Sequence, residues 1–126
     1  VRRIHCLCAG RAIDEALDLI GRFASRYDHS PDFHFAAGNA YLDKGLADPD
    51  RAMQHWLPLA VQAWERCLAI GDQPDLEGSM QGRGSFLAAH NLLVIFDVLG
   101  NQFRSDFYKS LRDQLRSQYP LTHRQV

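Results

Sequence analysis

The chain has only three cysteines, spaced too unevenly for a disulfide scaffold, and free thiols of this kind fit a reducing cytoplasm. No apolar run approaches the ~18 residues that a membrane span needs. No stretch of this sequence reads as a secretory leader. No basic block is present: 14 basic side chains stand against 15 acidic ones, for a net charge of -1. That balance gives no electrostatic case for nucleic acid, which calls for a basic face. Nor does any stretch alternate apolar and polar residues long enough to compete as a strand.

What the chain does contain is apolar residues, 46% of its 126, at helical spacing. At roughly 100–200 residues per domain, residues 1–126 form a single domain. Its opening, Val1-Arg2-Arg3-Ile4-His5-Cys6-Leu7-Cys8, reads as the inside of an apolar helix. The expectation is therefore a segment of a longer protein with its first hairpin truncated. Any catalytic machinery would lie elsewhere in that protein.

Ile13, Ala16, Leu17, Ile20 and Phe23 make an i, i+3/i+4 stripe, which predicts a helix from about Ala12 to Tyr27. Asp32 is expected to cap the next, with Phe33, Ala36, Ala37, Ala40 and Tyr41 on one side and Gly45 at its end. Asp48-Pro49-Asp50 is a helix start: a capping acid, a proline that loses nothing at the first helical position, and an acid that suits the dipole. The helix that follows carries Met53, Trp56, Ala60, Trp64 and Cys67 and stops at Gly71. Pro58 within it predicts a kink near Gln54–Leu57, or two shorter helices. Residues 71–84 are glycine- and proline-rich and read as loop. Ser85 is expected to cap a fifth helix, closed by Gly100. Asn101 is expected to cap a sixth, with a core stripe of Phe103, Phe107, Tyr108, Leu111 and Leu115. The fold class is all-α, six helices in about three antiparallel hairpins.

The hairpins repeat. Gly10 and Gly45 are close to a 34-residue unit apart, and Ala37-Gly38, Tyr41 and Gly45 share their spacing with Leu92-Leu93, Phe96 and Gly100. Small residues let helices approach closely, and a large ring fills the wedge between hairpins. This pattern resembles the tetratricopeptide repeat, with Ala60, Trp64 and Cys67 in the small–aromatic–small places of a second helix. The resemblance implies a right-handed superhelix with a concave face. The middle unit is longer by about twenty residues than the repeat allows, divided between its second helix and the loop.

The stretch Leu76-Glu77-Gly78-Ser79, then Gly82-Arg83-Gly84-Ser85, then Ala88-Ala89-His90-Asn91-Leu92, ending at Leu99-Gly100, is similar to the tetratricopeptide-like region that follows the catalytic domain of bacterial family 2 glycosyltransferases. That resemblance covers roughly residues 33–101. It implies a place at the C-terminal side of such an enzyme. The catalytic acids of that family belong to a separate α/β domain with no counterpart here, so no catalytic residue carries over.

Other motifs read more plainly as structure. Gly82-Arg83-Gly84 before a helix start suggests a phosphate-cradling turn. Its spacing matches neither nucleotide-binding pattern, and no strand precedes it. The structural reading has the glycines making a tight turn, Ser85 capping, and Arg83 pairing with Glu77 or Asp75. Cys6 and Cys8 would point about 200° apart on a helix, and no second ligand pair for zinc exists. With Cys67 they read as small core residues. No metal or cofactor is called for. The six histidines stand at no spacing that suggests nucleophilic catalysis.

On the concave face, the expected groove residues are Phe35, Asn39 and Leu42 on one helix, with Leu87, His90, Asn91 and Val94 on another. Tetratricopeptide adaptors that clamp a carboxylate pair such asparagines with basic side chains. Lys44 and Lys109 are the only lysines, and neither is expected on the groove. An apolar groove filled by a helix or hydrophobic segment is therefore expected. The reading is a non-catalytic module making protein–protein or interdomain contacts. It docks on its own catalytic domain or forms a homodimer through the truncated first hairpin. The alternative is a free-standing adaptor that binds a client peptide. A small enzyme centred on Arg83, His90 and Asp97 is the third reading.

Overall fold

The computed structural model describes Ile4, residues 12–72 and residues 82–118. Among these residues the protein is all-helical, with five helices. They are α1 (Ile13–Phe23), α2 (Pro31–Ala47), α3, α4 (Phe86–Val98) and α5 (Gln102–Ser117). Helix α3 runs without a break through three segments, Pro49–Arg51, Ala52–Trp56 and Leu57–Ile70. The expected first helix lies outside the described residues except for Ile4, which is buried against α1 and α2.

The predicted stops hold at Gly71 and Gly100 but not at Gly45, and the predicted starts fail at two acids. Gly71 and Gly100 end α3 and α4 with φ of 79° and 78°, a region that favours glycine. Asn101 caps α5, its side-chain oxygen accepting from the Arg104 amide at 3.1 Å. Helix α1, however, ends at Phe23 rather than near Tyr27, whose ring stacks on Phe33. Ser30, not Asp32, caps α2, by accepting from the Phe33 amide, with Pro31 in the first turn. Gly45 does not end α2 but lies inside it, with Trp56 packed over it. Asp48 does not cap α3; its carboxylate takes the Trp56 indole N–H at 3.1 Å.

Pro58 has a definite consequence. It has no N–H to give to the turn before it, and its ring crowds the carbonyl four residues back. The chain responds with a π-helical turn over Ala52–Trp56 between the α-helical segments Pro49–Arg51 and Leu57–Ile70, in which the Leu57 amide reaches back to the Ala52 carbonyl. The wider turn shifts the register, and Met53 leaves the apolar stripe for the surface.

Each helix packs chiefly on its neighbours in sequence, and the broadest contacts are α2 with α3 and α4 with α5. Two apolar clusters result. One joins α1 and α2 to Ala63 of α3; the other joins Ala60, Trp64 and Cys67 of α3 to α4 and α5. Helix α3 thus shows one edge to each cluster. The Trp64 indole lies flat against Gly38 of α2, so closely that a Cβ there would overlap the ring.

The predicted α5 stripe splits. Tyr108 turns inward, stacks on Phe96 and donates its hydroxyl to Glu65 of α3 at 2.8 Å. Phe103 and Phe107 point to solvent instead. A single face of α5 meets α4; Phe107 and Phe103, roughly 100° and 140° round the helix from Tyr108, cannot share it.

Burial first, and then the bond to Glu65, push the Tyr108 phenol up to about 12 from its ordinary value. Burial also raises Tyr41. The native state therefore keeps a proton that the unfolded chain has lost. Stability is complete below pH ~10 and falls as pH rises toward ~12. Urea unfolding across that window should show a steeper loss for wild type than for Tyr108→Phe.

Candidate interaction surface

The entrance to α4 is built around one carboxylate. Asp72, just beyond the end of α3, accepts from the Gly84 amide and the Ser85 hydroxyl, each at 2.8 Å, and from the Gly82 amide at 3.2 Å. The turn that resembles an anion cradle is thus filled by the chain's own carboxylate. Ser85 stands at the cap position of α4, but its hydroxyl serves Asp72 rather than the first turn. The glycines are needed for fit. Gly82 has a φ of 94°, and a Cβ on Gly84 would collide with the backbone of Gly71.

Arg83 is expected to pair with Glu77 or Asp75, which lie outside the described residues. It reaches Asp32 in the first turn of α2 at 3.4 Å and covers the Phe35 ring. Asp32 is buried, and a buried carboxylate needs such a partner to offset its lost hydration. The sequence hides this pair because Arg83 and Asp32 are far apart in the chain and the capping role seemed to claim Asp32.

Beyond this pinned base, α2 and α4 carry matching stripes. Phe35, Asn39, Leu42 and Leu46 fall at the same steps along α2 as Leu87, Asn91, Val94 and Val98 along α4. Behind them, Ala36-Ala37 and Ala40 correspond to Ala88-Ala89 and Leu92, all buried. Both asparagines are half-buried, as are Phe35, Leu42 and Leu87. Exposure then rises toward the C-terminal ends, to 46% at Val94, 73% at Leu46 and 79% at Val98. Phe35 and Leu42 pack on the second cluster, which contains α4 residues. Two helices of like design therefore show like faces. The signal was present in the sequence as Ala-Ala-x-Asn in each helix, in a register other than the one drawn from Gly45 and Gly100.

His90 does not belong with these residues. Its Nδ1 lies 3.1 Å from an Arg112 nitrogen, on the α5 side of α4. Arg83 and His90 are committed to separate partners, and Asp97 lies about 10 Å further along the helix than His90. The three do not converge as the enzyme reading needs. Lys44 bonds Asp14 at 2.9 Å, away from both stripes.

Among the described residues, no three His, Cys, Asp or Glu side chains come together as a metal site. Cys6 and Cys8 lie outside those residues. Cys67 is buried, with its Sγ 3.3 Å from the Pro31 carbonyl, and burial pushes its thiol well above the ordinary range. None of the helices among the described residues is long and apolar enough to cross a membrane. Comparisons with family models, curated proteins and solved structures gave no match.

Asp72→Ala should cost about 1–3 kcal/mol, since it strands two part-buried amides and a hydroxyl. Urea denaturation measures the loss. Wild-type stability in the variant would mean that the carboxylate does not hold the turn.

Proposed function

We propose that this chain is a non-catalytic helical-repeat module whose work is contact with another protein or domain, made by the paired stripes of α2 and α4. The observation that carries the reading is the matched burial of the two stripes. Repeat helices of this kind bury one side in the stack and leave a row of apolar and amide groups for a neighbour. Apolar residues supply burial, while Asn39 and Asn91 can each give and take a hydrogen bond with a neighbour's backbone. The tetratricopeptide-like superhelix and the cytoplasmic setting belong to the same reading. So does descent from the C-terminal side of a family 2 glycosyltransferase-like protein, supported by the Gly82-Arg83-Gly84-Ser85 turn and the helix it enters.

The free-standing adaptor differs in its occupant, a client peptide in place of a covalently linked domain. One experiment separates them. The chain is produced alone and together with the sequence encoded upstream of Val1, and amide hydrogen exchange is compared over α2 and α4. Added protection in the longer protein, removed by Val94→Asp with Val98→Asp, supports the interdomain contact. Equal exchange in the two proteins contradicts it.

A further inference from the structure

The rows on α2 and α4 share one spacing. Phe35, Asn39, Leu42 and Leu46 follow one another at steps of four, three and four residues, and Leu87, Asn91, Val94 and Val98 repeat those steps. This is the a/d seam of a coiled coil, about 16 Å long on each helix. An extended strand offers one face a side chain every ~7 Å, a spacing these rows do not have. A facing helix offers the same alternation of threes and fours, so its side chains fall between the residues of both rows.

Each row holds a single amide at the same step, Asn39 in one and Asn91 in the other. Among the described residues neither side-chain amide has a hydrogen-bond partner. One polar residue in an apolar seam selects a partner with a polar group at the same level, because an apolar side chain there leaves the amide unmatched.

The flanks of the rows are acidic. Asp43 continues the line of Ala36 on α2, the side that packs on α1. Asp97 continues the line of His90 on α4, the side that meets Arg112 of α5. One carboxylate thus lies outside each row, on opposite edges of the face the rows make together. Asp97 is exposed and has no ion pair among the described residues. It stands in the last turn of α4, where the helix dipole disfavours an acid and an external cation relieves it. A second copy of the same face would set acid against acid. We propose that the occupant of the α2 and α4 rows is an amphipathic helix of another protein or domain, with one amide in its apolar row level with Asn39 and Asn91 and with lysine or arginine on both flanks. This occupant presupposes the contact role of the two rows and adds what lies on them.

Fluorescence anisotropy with dilute, labelled synthetic helices of about three heptads provides the test. The reference peptide carries isoleucine and leucine in its apolar row, one central asparagine and lysines on both flanks; circular dichroism checks that the chain and its variant fold. This peptide should bind, and glutamates in place of its lysines should weaken binding about tenfold. Isoleucine in place of its asparagine should weaken binding on the same scale, and an equal affinity would overturn the amide pairing. Asp97→Lys, a change at an exposed site, should shrink the preference for lysine over glutamate at least about threefold. No binding of the reference peptide, equal binding of the lysine and glutamate peptides, or equal binding of a peptide broken by a central proline overturns the proposal. An unchanged preference in Asp97→Lys does so too. If the peptides fail while the longer protein still gains protection over α2 and α4, the helical occupant falls and the contact surface stands.

Discussion

The close approach of α2 and α3 at Gly38 is the constraint on which the stack depends. Trp64 is fully buried and lies where a Cβ on residue 38 would be. Any side chain there moves the indole, and with it the helix whose buried residues enter both apolar clusters. Interiors packed to crystal density do not absorb such a shift locally. The α2–α3 contact is also among the broadest in the molecule, so what happens at Gly38 sets the spacing of everything after it. Among the described residues no acceptor reaches the Trp64 indole nitrogen. That cost is one the close fit must offset.

From this joint the rest of the architecture follows. Trp64 and Cys67, seated against Gly38 and Pro31 of α2, belong to the cluster that takes in α4 and α5, Ala63 belongs to that of α1 and α2, and α3 thus contributes to both. The entrance to α4 is fixed twice: Asp72 gathers the turn, and Arg83 crosses to Asp32 on α2. These two devices bring the N-terminal ends of α2 and α4 together. The helices then show their repeated apolar–Asn–apolar rows toward their C-terminal ends, where Leu46 and Val98 are most exposed. A module of this form acts by shape and burial, and its fixed turn keeps that shape.

How much of this was legible in the sequence differs by type of signal. Periodicity located all five described helices, and glycine located the ends at Gly71 and Gly100, because both depend on local physics alone. The part-buried and exposed rows Phe35, Asn39 and Leu42 and Leu87, Asn91 and Val94 could be named for the same reason, since they run beside the buried alanines of each helix. His90 was misplaced because a helical wheel does not say on which flank the next helix packs. The polar groups escaped more thoroughly. Asp32, Asp48 and Ser85 all look like caps, and each is diverted by a partner beyond its own first turn: Arg83, Trp56 and Asp72. Capping propensity is a local preference, and a buried charge or indole N–H outbids it. The outward turn of Phe103 and Phe107 was hidden likewise, because an aromatic at helical spacing is read as core until the packing face is known.

Three glycines in helical segments offer the most direct measurement. Alanine at residue 38 should cost about 1–3 kcal/mol in urea unfolding, as overpacking does. At Gly45, where a Cβ would come within 3.3 Å of the Trp56 side chain, a smaller loss is expected. At Gly21, where nothing lies within 4 Å, alanine should stabilise α1 by about 0.5–1 kcal/mol. A Gly38→Ala protein as stable as wild type, or stabilised like Gly21→Ala, would contradict the close approach of Trp64 and the stack built on it.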